Sequence, residues 1–322
     1  MRRPLTGLVA LLFIGWLSPR AFSQQVIATI KVGKWPIYLA ADQKTNRVFV
    51  SNQLDDTVSV IDGDTNTVAA TVAVGRYPNG VAVNPRTNTI YVANLNGGSL
   101  SIIDGTTLKT TTLRLGPSPA KVAVNTSTNR VYVTLENEQG SLAVVDGKKR
   151  KLIASVPLPP YPLSVAVESR TNRIYVADFL CGCGQVSVID GATNKMVDTI
   201  ALPGASMVAG VALDPKNQFG YATDENSGFY VIDLESATIL GEIGNLSSPN
   251  EVAAIPGTSL AVEPDTGSDR AVFINARSLS VRNRVRVGKF PTGVAVNAAT
   301  KRVYVANRLG NTVSVIQLPS GW

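Results

Sequence analysis

One segment of this chain keeps returning, and its period dictates the fold. Val74 to Asn84 reads VGRYPNGVAVN, and Val287 to Asn297 reads VGKFPTGVAVN. Weaker copies begin at Val32, Leu115 and Leu158. The leading prolines stand at 36, 78, 119, 162, 249 and 291, in steps of 42, 41, 43, 87 and 42. The step of 87 spans two periods, so a copy near residue 208 has lost its proline, and the copies number seven. After each lead-in comes a turn such as Thr45-Asn46, Thr87-Asn88, Thr128-Asn129 or Thr171-Asn172. Asn suits the left-handed backbone that tight turns need. A β-branched and aromatic strand follows, such as Val48-Phe49-Val50 or Ile90-Tyr91-Val92, then a third strand such as Thr57 to Asp62. Asp-Gly pairs at 62–63, 104–105, 146–147 and 190–191 mark tight turns into a fourth strand.

Four short strands in about 42 residues is the period of a propeller blade, and no helical spacing competes with it. The expected fold is therefore all-β: a seven-bladed β-propeller of four-stranded antiparallel blades. Closure is legible too. Val26 to Val32 (VIATIKV) is a fourth-strand sequence with no blade before it, and the last repeat stops at its third strand near Gln317. The N-terminal strand should complete blade seven and remove both open edges. Blade six is the poor copy. Its first strand, Glu251 to Ile255, runs into Pro256-Gly257, Glu263 to Arg270 reads as a polar loop, and its third strand ends in Asn275 instead of Asp.

Residues 1–23 read as a cleaved signal peptide, leaving 24–322 as one propeller domain. Arg2 and Arg3 precede an apolar run from Leu8 to Leu17, and Ala21-Phe22-Ser23 offers small residues for cleavage. The run is short for a membrane span, so no stable span is expected, and the protein should be periplasmic, secreted or at the cell surface. Removing Arg2, Arg3 and Arg20 lowers the formal charge from +7 to +4, so a case for nucleic acid must rest on local placement. The chain has no histidine, which excludes Ser-His-Asp and Cys-His catalysis and every imidazole metal site.

The YVAN copies at Tyr91 to Asn94 and Tyr304 to Asn307, with TVSVID and the VGxxPxGVAVN lead-in, give a chain that resembles the YVTN-type β-propeller repeat family. The resemblance covers nearly all of residues 26–317. It implies the propeller fold and a choice among cell-surface proteins, periplasmic binding propellers (some associating with single-stranded DNA) and relatives of quinohaemoprotein and lactonase propellers. The histidines that many catalytic relatives use are missing here.

Candidate site residues sort onto the face that carries the lead-in loops. Lys34-Trp35, Arg76-Tyr77 and Lys289-Phe290 each precede a leading proline in blades one, two and seven, which are neighbours in a closed ring. Tyr161 adds an aromatic in blade four, and Lys121 and Arg308 are expected nearby. Aromatic faces with cations suit stacked bases, sugars or an acidic peptide; packing at blade junctions is the plainer role. A second set, Asn52, Asn94, Asp178, Asp224 and Asn307, with Leu135 breaking the series, forms either a polar ring at the channel mouth or a set of separate caps, each on its own loop. Cys181 and Cys183 form a C-x-C for which a local disulfide is expected in an oxidising compartment. Free thiols, a bridge to another chain and a soft-metal site are the alternatives, and two thiolates are too few for standard zinc.

The expected function is an exported, non-catalytic binding or scaffold protein, monomeric and without cofactor or metal. Its upper face would bind a protein or an anionic, polymeric ligand. The alternatives are single-stranded nucleic-acid binding through the basic-aromatic arc, and a lactonase-like or cofactor-dependent enzyme. An enzyme would place carboxylates with shifted pKa values inside the channel.

Overall fold

The computed structural model describes residues 24–226 and 228–319, so the signal-peptide expectation lies outside the described residues. Seven four-stranded antiparallel sheets follow in order. Their first strands are Pro36–Asp42, Pro78–Asn84, Pro119–Asn125, Pro162–Glu168, Val208–Asp214, Ala253–Ile255 and Pro291–Asn297. Blade seven has only three strands of its own, and Gln25–Lys31 supplies the fourth, antiparallel to Thr312–Gln317 with Gln25 opposite Gln317. The ring is therefore closed by its own N-terminal strand.

Each strand alternates its faces, so every blade buries residues on both sides. The core is accordingly divided into seven apolar clusters, one at each junction between neighbouring blades, and a smaller eighth that spans blades three to five near the axis. Phe49, Val72, Val81 and Ile90 fill the junction of blades one and two; Leu39, Ile61, Tyr304 and Val315 fill the seam between seven and one. Tyr91, Tyr132 and Tyr304 occupy the same register in three blades and are fully buried.

The lower face carries the turns after the first and third strands. Asn46, Asn88, Asn129 and Asn172 take the left-handed conformation expected of them, with φ between 50° and 57°. The Asp-Gly pairs work differently from a two-residue hairpin turn. Asp62 Oδ1 accepts the N–H groups of Asp64 (2.8 Å) and Thr65 (3.0 Å), and Asn66 takes the left-handed position. These bonds hold the Asp62 carboxyl below its usual range. Glycine is needed at 63 for space: its N–H donates to the Asn46 carbonyl at 2.8 Å, and a Cβ would fall 2.4 Å from Asn46 Oδ1. Asparagine pairs then staple neighbouring blades, from Asn84 to Asn129 (2.8 Å), Asn125 to Asn172 (2.7 Å) and Asn297 to Asn46 (2.8 Å).

Blade six departs from the expected boundaries. Its first strand is cut to Ala253–Ile255. Glu263 belongs to the second strand, Leu260–Asp265, and only Thr266–Ser268 forms a short 3-10 turn before Arg270–Asn275. Proline and a charged residue mask a strand pattern in sequence, but here backbone pairing with Ala271 and Val272 carries the register through them.

Candidate functional site at the channel mouth

The lead-in loops gather on the upper face. The residue before each leading proline is left-handed even where it is aromatic: φ is 53° at Trp35, 57° at Tyr77, 56° at Tyr161 and 56° at Phe290. Bulky residues adopt this conformation only when their surroundings hold them there. The holding group comes from the preceding blade. Asn311 Oδ1 accepts the Trp35 N–H (3.0 Å), Asp56 Oδ1 that of Tyr77 (2.7 Å) and Asp269 Oδ1 that of Phe290 (2.8 Å).

The carbonyl of the same loop residue then anchors a second ring. Trp35, Tyr77, Ser118, Tyr161, Met207, Ser248 and Phe290 accept the backbone N–H of Gln53, Leu95, Glu136, Phe179, Glu225, Thr266 and Arg308 respectively. Each donor follows the last residue of a second strand. Seven side chains of six types, with Glu at both 136 and 225, are thereby set around the axis.

This corrects the polar ring expected from the sequence. Asn52, Asn94, Asp178, Asp224 and Asn307 do not line the mouth; they are buried and turned into their own blades. Asn52 Nδ2 donates to Thr57 Oγ1 (3.1 Å) and Ser59 Oγ (2.9 Å), and Asn94 and Asn307 repeat the pattern. Asp178 Oδ2 accepts Gln185 Nε2 (3.0 Å) and Ser187 Oγ (2.8 Å), and burial pushes its carboxyl up to about 6. Asp224 accepts the loop N–H groups of Ser206 and Met207. Strand alternation is the reason: a neighbour one residue along faces the other way.

The mouth itself is a cavity of about 360 Å³ to which all seven blades contribute. Its wall includes Tyr38, Asn79, Glu136, Leu163, Glu225, Asn250, Phe290, Thr292 and Arg308. Ala120, Leu163 and Ala209, with Leu95 and Phe179 against them, form an apolar stretch centred on blade four. Glu136 stands on one side of that stretch and Glu225 on the other. Burial raises the Glu136 carboxyl to about 7; it also raises Glu225, against the opposing hydrogen bond from Asn250 Nδ2 at 2.6 Å. Arg308 lies across the ring at the seam, 4.2 Å over the Trp35 ring and 5.7 Å from that of Phe290.

A floor lies below. Lys121 and Glu251, both largely buried, form an ion pair across the channel, and the Lys121 ammonium sits 3.2 Å over the Tyr38 ring. Burial pulls Lys121 below the usual lysine range, so the Glu251 carboxylate supplies its compensating charge. Lys121 is therefore part of the channel floor and not of the basic-aromatic arc where it was expected. Of the three triplets, blades seven and one converge on Arg308. Lys34, Arg76 and Lys289 are exposed, and among the described residues no ring or cation contact joins Tyr77 or Tyr161 to that stack.

Cys181 and Cys183 are disulfide-bonded to each other in the exposed loop of blade four. Among the described residues no group of acidic or cysteine side chains is arranged to hold a metal ion, and no helix is long and apolar enough to cross a membrane.

Closed, seven-bladed and carrying a charged cup on one face, the molecule is a β-propeller. Residues 25–177, which take in the closing strand, blades one to three and the inner half of blade four, match the family described as YNCE-like beta-propeller, and the YVTN-type repeats are consistent with it. A hydrazine synthase chain of Kuenenia stuttgartiensis shares the fold, with a TM-score of 0.82 over 88% of this chain and 96% of that one, at 18% identity. No curated protein matches the chain.

Proposed function

We propose that this is an exported binding propeller that receives a ligand or partner segment in the cup on its upper face. The observation that carries the proposal is the cup: seven equivalent backbone bonds set a ring of residues of six types, and four of them, Glu136, Glu225, Thr266 and Arg308, line a cavity of about 360 Å³. That volume falls in the range of ligand pockets, about 300–1,000 Å³. The basic and apolar segments ahead of Ser23 support export. The test is hydroxyl-radical footprinting in an extract of the source cells. Protection of Trp35 and Phe290, but not of lower-face residues such as Lys44, is expected; equal reactivity with and without extract would refute the proposal.

A second reading, single-stranded nucleic acid on the arc, draws support from the exposed Lys34, Arg76 and Lys289 beside the Trp35–Arg308–Phe290 stack. Asp55, Asp56 and Asp269 are threaded through the same loops and offset most of that charge. Oligo(dT) should therefore change Trp35 fluorescence weakly and only at low salt; a strong change that falls steeply with salt and is lost in Arg76→Ala would favour the nucleic-acid reading. The enzyme reading asks for shifted carboxylates in the channel, and Glu136 and Glu225 have that character; steady turnover abolished by Glu225→Gln would favour it over binding.

A further inference from the structure

The cup is polar end to end as well as around its rim. Glu136 and Glu225 belong to blades three and five and flank the apolar stretch of blade four. Arg308 belongs to the opposite side of the ring, where blade seven meets blade one. The ion pair of Lys121 and Glu251 closes the floor and cancels its own charge. Among the described residues, neither Glu136, Glu225 nor Arg308 takes part in an ion pair, so the opposed charges face the cavity with no opposite charge paired to them, although Asn250 donates to Glu225 and Arg308 stacks on Trp35.

Two buried groups at the wall also lack partners. Asn79 is 5% exposed and lines the cavity with its Oδ1 unpaired, and Arg308 Nε is buried and unpaired. Leaving such groups unsatisfied is costly, and a bound polar ligand would relieve that cost. The raised Glu136 carboxyl has the same origin, since a desolvated carboxylate without a counter-charge resists ionisation.

We propose that the cup is a site for a zwitterionic amine, with its ammonium group between Glu136 and Glu225, its apolar body along Leu163, and its carboxylate on Arg308. This rests on the reading of the upper face as a ligand site. Three requirements follow from the geometry. The two charged ends must be separated, because the protein charges lie across the ring from each other. The middle must be apolar, to pack on the blade-four wall. The anionic end must be flat enough for the guanidinium that Trp35 and Phe290 hold in place.

The test uses 6-aminohexanoate, hexylamine and hexanoate as probes in calorimetric titration of the purified protein, with Trp35 fluorescence as a second signal. The expected result is affinity for 6-aminohexanoate at least about ten-fold above either single-ended probe. Glu225→Gln should weaken 6-aminohexanoate and hexylamine about ten-fold or more while leaving hexanoate unchanged; Arg308→Gln should do the converse, with the melting temperature of each variant showing that it folds. Equal affinity for all three probes, no heat with 6-aminohexanoate at about 10 mM, or full binding by Glu225→Gln would overturn the assignment. Footprint protection of Trp35 by the cell extract, with no response to these probes, would overturn the amine and leave the upper-face site standing.

Discussion

The lower face and the mouth of the channel are made from the same seven repeats, yet they use them in opposite ways. Below, blade after blade repeats one solution: a left-handed Asn, an Asp that binds two loop N–H groups, and amides that staple neighbours together. Above, the backbone is equally regular, with the same carbonyl-to-N–H bond in all seven blades, but the side chains it presents change from blade to blade, only Glu recurring, at 136 and 225. Repetition of a side chain thus marks a structural task that every blade must perform. Divergence at a position whose backbone is held fixed marks the place where we propose that the ring receives its ligand.

That contrast can be broken by mutation, and the largest effect belongs to the channel floor. Lys121→Met leaves the Glu251 carboxylate buried and alone, with an expected cost of about 3–5 kcal/mol in chemical denaturation. A loss under about 1 kcal/mol would mean that the floor is hydrated and open.

Next comes the repeated amide. Asn307→Ala strands the Gly288 N–H and the hydroxyls of Thr312 and Ser314, for an expected loss of about 1–3 kcal/mol. Ligand binding in the cup should persist. The same measurements on Glu225→Gln should reverse the outcome, with stability held and amine binding lost.

Blade six offers a gain of similar size. Glu263 occupies the register that is Val50, Val92, Val133, Val176 or Val305 in other blades, and both of its carboxylate oxygens are buried without partners. Burial, reinforced by Asp265, raises its carboxyl well above the usual 4.5. The folded state therefore holds this proton more tightly than the unfolded chain. Stability from this group is full below about pH 4.5 and declines as pH rises towards the folded value. Glu263→Val should stabilise the protein at neutral pH by about 1–3 kcal/mol and flatten that decline, as read from melting curves between about pH 4 and pH 8. No gain at neutral pH would indicate that Glu263 has a partner in solution.

The smallest effect is expected at the disulfide. Cys181→Ser with Cys183→Ser opens a ring that spans only two residues of sequence, so the change should be about 1–2 kcal/mol or less, with no effect in the cup.

How much of this was legible beforehand follows the same contrast. The period of 42 residues, the seven blades and the closing strand could all be read, because repeated turn residues and alternating strands write them many times over. Phe290 and Arg308 were marked out by the sequence, but the two acidic residues of the cup were missed by one position. Asn52, Asn94, Asp178, Asp224 and Asn307 stand out because they repeat, whereas Glu136 and Glu225 stand one residue beyond the ends of second strands, at a position that changes from blade to blade. Aligning the seven copies and asking which fixed position varies most would have found them. The aromatic residues of the arc were visible, but their left-handed backbone was not, nor the cross-blade acceptors that hold it. Glu263 looked like a loop residue because a charge in a strand register breaks the apolar alternation on which strand assignment depends.

The most direct test of the account is titration of 6-aminohexanoate into the wild type, Asn94→Ala and Glu225→Gln, side by side. Asn94 belongs to the repeated set, as the last residue of its second strand, and Glu225 to the divergent one, as the residue that follows the end of its own. Wild-type affinity is expected in Asn94→Ala and a loss of about ten-fold or more in Glu225→Gln. Loss of binding in Asn94→Ala with none in Glu225→Gln would contradict it.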